Sequence, residues 1–147
     1  VQLDDVAESF VDGLCGPQVQ WPARQCGDLL IRDRLGNWTY QFAVTVDDLH
    51  QQITDVIRGT DLLASTGRQW QLARLLGRRE PPRAAHHPLV MKSPTAKLSK
   101  SDGDTGIRDL RAAGWSPEDV LAHARMLAGP ALTDWLAPGS GVDTLRD

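Results

Sequence analysis

The stretch Lys97-Leu98-Ser99-Lys100-Ser101 sets two ammonium groups three positions apart among hydroxyls, in a polar segment that follows a short apolar run. Cations on flexible stems can stabilise negative charge as it develops on a reacting group. The same pattern also describes a solvated surface loop, and spacing alone does not separate the two. Asp47 and Asp48 are adjacent, but neighbours on a helix diverge by about 100° and make a poor chelating pair. His86 and His87 read as packing and hydrogen-bonding residues at a strand entrance rather than as ligands. The separation of Cys15 and Cys26 matches no common paired zinc spacing, so both are expected to be free thiols in a reducing compartment, and no metal site is expected. Basic residues cluster briefly, at Arg74, Arg78, Arg79 and Arg83 and again at Lys92, Lys97 and Lys100.

These side chains need a scaffold, and turn residues punctuate the chain clearly enough to sketch one. Residues 1–26 read as a short extended region without a period. Residues 28–34 are a strand candidate ending at the turn-prone Leu35-Gly36-Asn37, with Trp38 to Tyr40 beyond it. From Tyr40 to Asp48 the pattern fits either a strand, through alternating Phe42, Val44 and Val46, or a buried helix. Residues 53–58 predict a strand stopped by Gly59. Residues 65–76 predict a helix with Trp70, Ala73 and Leu76 on one face and Gly77 at its end. His87 to Met91 is a short apolar strand candidate, followed from Lys92 to Asp104 by a polar surface loop. One helix should open at Thr105 or Gly106 and run to Ala113. A second should open at Ser116-Pro117-Glu118-Asp119, with serine at the N-cap and acidic residues in the first turn. A last short helix should span residues 131–136, before a fraying tail. Strands alternating with helices argue for an α/β layer, yet three or four strands with few covering helices make a thin sheet that something else must cover or extend.

Composition bounds the rest. With 147 residues, 41% hydrophobic and 24% charged, the chain suits one ordinary domain with one core rather than a disordered chain. A formal charge of −3 gives no global attraction for nucleic acid, so such contacts would fall to the local basic clusters. No apolar run approaches the ~20 residues needed to span a bilayer, and the opening residues do not look like a signal peptide, which predicts no membrane partner and a cytoplasmic address.

The Lys97–Ser101 pentapeptide resembles the second signature loop of class I aminoacyl-tRNA synthetases, in the form typical of the glutamyl branch. The resemblance continues in order through Gly27-Asp28 with the following Leu-Leu-Ile-Arg, Tyr40 to Asp48, Ile53 to Gly59, Asp61 to Thr66, Arg68-Gln69 and His87-Pro88-Leu89, covering about residues 27–115. It implies an α/β fold: the second half of a Rossmann-like catalytic domain followed by a small helical region that contacts a tRNA stem. Residues 1–26 would be a remnant of the inserted acceptor-binding region, 27–104 the C-terminal half of the nucleotide-binding domain, and 105–147 the helical region. It turns the Tyr40–Asp48 ambiguity toward helix.

By the same resemblance Lys100 is the principal ATP-phosphate ligand and Lys97 its helper, with Leu98, Ser99 and Ser101 shaping the ATP loop. Arg58 would pair with a carboxylate of glutamate through its planar fork of donors, and Tyr40 would donate its hydroxyl. On pattern alone, Tyr40 could equally be a core aromatic and Arg58 a strand-end cation. Asp47 and Asp48 would be structural or face a tRNA loop. The implied small-molecule partners are glutamate and ATP with Mg2+.

Within the branch the wording of residues 58–69 and 97–108 is closer to the shorter glutamyl-Q-tRNA(Asp) synthetases, which transfer glutamate to the queuosine base in the anticodon region of tRNA(Asp). Only 46 residues follow Ser101, too few for the large anticodon-binding portion of a glutamyl-tRNA synthetase. The first class I signature, a His-x-Gly-His-like element, is missing, as are the glycine-rich entry to the ATP site and the family's cysteine-containing zinc element. Adenylate formation needs positioning and electrostatics from both halves, so the chain without its N-terminal half is expected to be inactive alone, as a truncated product or partial reading frame. Two alternatives stand beside this: a fragment of a glutamyl-tRNA synthetase charging tRNA(Glu), and a non-catalytic synthetase-like tRNA-binding module.

Overall fold

A computed structural model describes residues 1–93, 95–98 and 105–137, in two compact units, Val1–His86 and His87–Asp147. The chain is a mixed α/β protein. Six short strands pair as three two-stranded sheets among the described residues, rather than as one thin sheet of three or four.

The first unit opens with a hairpin where an extended region was expected. Strand β1, Glu8–Asp12, pairs antiparallel with β2, Gly16–Gln20, in a register that sets Glu8 opposite Gln20 and Asp12 opposite Gly16. Burial alternates along β1, with Glu8, Phe10 and Asp12 inward. Two of those three inward residues are carboxylates, so the apolar alternation that announces a strand is absent from the sequence. The Asp12 Oδ1 accepts from the amides of Leu14 (3.1 Å) and Cys15 (2.9 Å) and closes the turn between the strands.

Helix α1, Pro22–Cys26, follows. The strand expected over residues 28–34 reduces to one antiparallel bridge, Arg32 to Trp38. Its turn is the expected one, held by Asp33 accepting from the amides of Leu35 and Asn37 at 2.8 and 2.9 Å. Arg32 spends its guanidinium on the Trp38 ring, 3.8 Å from the centroid.

Helix α2 spans Tyr40–His50, which resolves the Tyr40–Asp48 ambiguity as helix. Strand β3, Asp55–Gly59, then runs through a 3-10 turn at Thr60–Ser65 into α3, Thr66–Leu75, and back to β4, Arg83–His87, which pairs with β3. Gly77, at φ +93°, ends the helix as expected. Ala73 is buried and Trp70 half-buried, whereas Leu76 is exposed; the deeper face of α3 is largely Thr66, Gln69, Gln71 and Leu72. The apolar core is small, Leu3, Leu29 and Leu72 with Ala23, Cys26 and Phe42 against them. Both cysteines are free.

The strand expected at His87–Met91 lies four residues earlier, at β4. Pro88 has no N–H to continue a ladder, and the inward residues are Ala84, Ala85 and His86 rather than the larger apolar residues that follow.

In the second unit, β5, Met91–Ser93, and β6, Ala96–Lys97, form a hairpin inside the segment expected to be loop. Helices α4, Ile107–Ala112, α5, Pro117–Ala128, and α6, Pro130–Leu136, agree with the expected three. At the start of α5, Ser116 Oγ accepts from the Asp119 amide (3.1 Å) while the Asp119 carboxylate accepts from the Ser116 amide (2.9 Å), a reciprocal capping box.

Candidate functional site

Arg58 is the hub of the first unit. Its Nε donates to His86 Nε2 at 2.9 Å, its Nη1 to Gln69 Oε1 at 2.7 Å and its Nη2 to Thr66 Oγ1 at 3.0 Å. Strand β3 carries the arginine, β4 the histidine, and the first turn of α3 both Thr66 and Gln69. The crossover between the paired strands therefore brings residues far apart in sequence onto one guanidinium. From Gln69 the network continues to α2: Gln69 Nε2 donates to Gln41 Oε1 (2.7 Å), and Gln41 Nε2 to Ser65 Oγ (3.0 Å).

Behind Arg58 the chain of contacts reaches the hairpin. His86 Nδ1 lies 2.5 Å from Asp12 Oδ2, both side chains are wholly buried, and Asp12 Oδ1 also accepts from the His86 amide at 3.1 Å. A guanidinium has no acceptor atom, so His86 Nε2 must accept from it and the ring proton must sit on Nδ1, donated to Asp12. Burial opposes the Asp12 charge, but the hydrogen bonds from the His86 ring and from the amides of Cys15, His86 and Leu14 outweigh it, holding the carboxyl below its ordinary range. Burial likewise pulls Arg58 below the usual guanidinium value, against the opposing influence of Tyr40, Asp48 and Asp12; the group stays cationic.

Tyr40, the first residue of α2, is about half exposed, and its hydroxyl interacts with the Arg58 side chain. The two residues expected to hold glutamate therefore meet, although 18 positions separate them. Arg58 also lines a cavity of about 20 Å³, room for one water, with Thr45, Asp48 and Arg78 beside the apolar Val56 and Trp70. Burial raises the Asp48 carboxyl above its ordinary range, tempered by Arg78 and Arg58. Asp47 is exposed and Asp48 half-buried, so the adjacent pair diverges.

Of the expected ATP loop, Lys97 ends β6 and Leu98 follows with its amide donating to Val90 O at 2.9 Å; both belong to the second unit and are exposed. Ser99, Lys100 and Ser101 lie outside the described residues. Among the described residues no three His, Cys, Asp or Glu side chains gather as a metal-binding group, and no helix is long and apolar enough to cross a membrane. Asp12 carries no signal in the sequence, and Thr66 none beyond its place in the Asp61–Thr66 block, because a polar side chain at an inward position looks like any surface residue until its partner is known.

Residues 4–131 match the family model described as tRNA synthetases class I (E and Q), catalytic domain. A glutamyl-Q tRNA(Asp) synthetase of Bordetella bronchiseptica is 50% identical over 104 residues, covering 70% of this chain and 32% of that protein. One from Symbiobacterium thermophilum is 42% identical over 127 residues, 86% of this chain and 39% of that protein. A glutamate–tRNA ligase of a Synechococcus species is 36% identical over 132 residues, 86% of this chain and 28% of that protein. In three dimensions the chain resembles a crystal structure of a glutamate tRNA ligase from Elizabethkingia meningosepticum in complex with its amino acid. The TM-score is 0.56 at 32% identity, over 68% of this chain and 20% of that one. The chain thus spans about a third of the length of the curated relatives it matches.

Proposed function

We propose, from the premise that the chain belongs to the class I tRNA synthetase (E and Q) catalytic-domain family, that it is the C-terminal part of an enzyme that activates glutamate with ATP and transfers it to the queuosine base of tRNA(Asp). The observation that carries the reading is the meeting of Tyr40 and Arg58, since a fixed guanidinium and a phenolic hydroxyl are the donors a glutamate carboxylate needs.

In this reading Arg58 and Tyr40 hold the amino acid while its α-carboxylate attacks the α-phosphorus of ATP. The bond to the β-phosphate breaks, glutamyl-adenylate forms and pyrophosphate leaves with the charge. Lys97 and Lys100 would stabilise that charge as it grows, and Mg2+ would arrive on the nucleotide rather than in a protein cage. The modified base of tRNA(Asp) then displaces AMP. Residues 105–147 would be the region that meets a tRNA stem, and residues 1–26 part of the inserted acceptor-binding region. The names of the relatives from Bordetella and Symbiobacterium support the choice of tRNA(Asp). The similarity to the Synechococcus ligase keeps charging of tRNA(Glu) as the second reading.

The test grafts this chain in place of the matched segment of the Bordetella relative and measures glutamate attachment. The proposal expects ATP-dependent charging of queuosine-containing tRNA(Asp). Charging of tRNA(Glu) instead selects the second reading, and tRNA binding with no adenylate formation under any condition points to a non-catalytic module.

A further inference from the structure

Arg58 has five N–H donors, and counting them shows how little of the guanidinium is left for a ligand. The Nε–H and one N–H of Nη2 run parallel along one edge of the planar group, and that edge is taken by His86 Nε2 (2.9 Å) and Thr66 Oγ1 (3.0 Å). One N–H of Nη1 goes to Gln69 Oε1 at 2.7 Å. What remains is one N–H on each η nitrogen, and the Tyr40 hydroxyl also interacts with the group.

The grip on the Nε edge depends on the state of His86, because an imidazole presents an acceptor at Nε2 only when its proton is on Nδ1. Arg58, a pure donor, favours that tautomer from the Nε2 side; from the Nδ1 side the group that fixes it is Asp12. Its Oδ2 faces Nδ1 at 2.5 Å, and its Oδ1 is committed to three amides, those of Leu14, Cys15 and His86, at 3.1, 2.9 and 3.1 Å. Both oxygens are thus acceptors with fixed partners.

We propose that Asp12 and His86 are positioning residues for Arg58: the hairpin carboxylate selects the Nδ1–H tautomer of His86, whose Nε2 then locks the Nε edge of the guanidinium and leaves only its η end to receive a carboxylate. The relay is a property of the chain's own residues; its use in holding glutamate rests on the function proposed above. It couples the turn at the end of β1, 46 positions from Arg58 in sequence, to the orientation of the binding cation.

Two substitutions separate tautomer selection from plain structural support. In Asp12→Asn the oxygen stays with the three amides, so the amide nitrogen must face the ring; it can only donate, which forces the proton onto His86 Nε2 and sets two donors against each other at Arg58. His86→Gln places an amide oxygen near the former Nε2, an acceptor that needs no tautomer selection.

The experiment is nitrogen-15 NMR on the 147-residue chain, reading the His86 ring tautomer and the exchange rate of the Arg58 Nε–H. Wild type should show the Nδ1–H tautomer and an Nε–H exchanging roughly tenfold or more slowly than those of exposed arginines. Asp12→Asn should show the Nε2–H tautomer and lose the protection, and Asp12→Asn combined with His86→Gln should regain it. A wild-type ring that is Nε2–H or doubly protonated overturns the proposal. So does protection that survives Asp12→Asn, or a double variant no better than the single. If Asp12→Asn fails to fold, Arg58→Met decides: the Nδ1–H tautomer should persist without the guanidinium, and its loss overturns selection by Asp12. Adding L-glutamate tests the underlying reading separately: no change at Arg58 with the tautomer and protection as expected counts against the glutamate assignment and leaves the relay standing.

Discussion

His86 lies between Asp12 and Arg58, with Nδ1 2.5 Å from the carboxylate and Nε2 2.9 Å from the guanidinium, so one buried ring joins the end of β1 to the cation on β3. A charged group held on three sides keeps one geometry, and that is what a residue binding a carboxylate requires.

Replacing Arg58 with lysine keeps the charge and removes the fork. One ammonium cannot meet His86, Gln69 and Thr66 together, which leaves buried acceptors without donors. The variant should lose about 2 kcal/mol of stability, read as a lower urea midpoint with unchanged slope.

Gly67 is packed too tightly for any side chain. A Cβ there would sit 2.9 Å from Gln20 Oε1 and 3.2 Å from both Gln20 Cβ and Pro22 Cγ, while the Gly67 amide donates to that same Gln20 oxygen at 2.8 Å. Gly67→Ala displaces the Gln20 amide from its bond to the Gly67 N–H and presses on Pro22, and should cost about 1–3 kcal/mol, measured by thermal unfolding.

Acid should find Asp12 early. Its folded-state pKa lies below the unfolded one, so the ionised carboxylate adds stability at neutral pH; that contribution fades as pH falls from the ordinary aspartate value through the depressed folded value. Asp48 has the opposite sign: its raised folded pKa favours the protonated form, so its ionisation weakens the fold as pH rises through that value. Urea midpoints between pH 3 and 7 should fall less steeply toward acid in Asp12→Asn than in wild type. Asp48→Asn should raise the midpoint at pH 7 and change it little in acid.

Helix α5 was readable from sequence because its signals are local: Ser116, Pro117 and Asp119 stand within four positions and the capping box joins them directly. Ser116→Ala should therefore cost about 1 kcal/mol and lower the helical signal in circular dichroism.

Legibility failed where stability comes from distant polar partners. The β1–β2 hairpin leaves no apolar alternation in the sequence because Glu8 and Asp12 are buried carboxylates whose partners, Arg74 and His86, lie 66 and 74 positions away. The position of β4 is hidden for the same reason: Ala84-Ala85-His86 is buried without being strongly apolar, while the more apolar Leu89 to Met91 sits beyond Pro88. Arg58 and Tyr40 were singled out through resemblance, whereas what holds Arg58 emerges only from the fold.

The most direct measurement is ATP–pyrophosphate exchange by the Bordetella graft carrying Arg58→Lys or Tyr40→Phe, with the KM for glutamate and for ATP determined separately. The account predicts a glutamate KM raised roughly tenfold or more by Arg58→Lys and less by Tyr40→Phe, with the KM for ATP unchanged. A glutamate KM that does not move, or one that rises only in step with that for ATP, would contradict it.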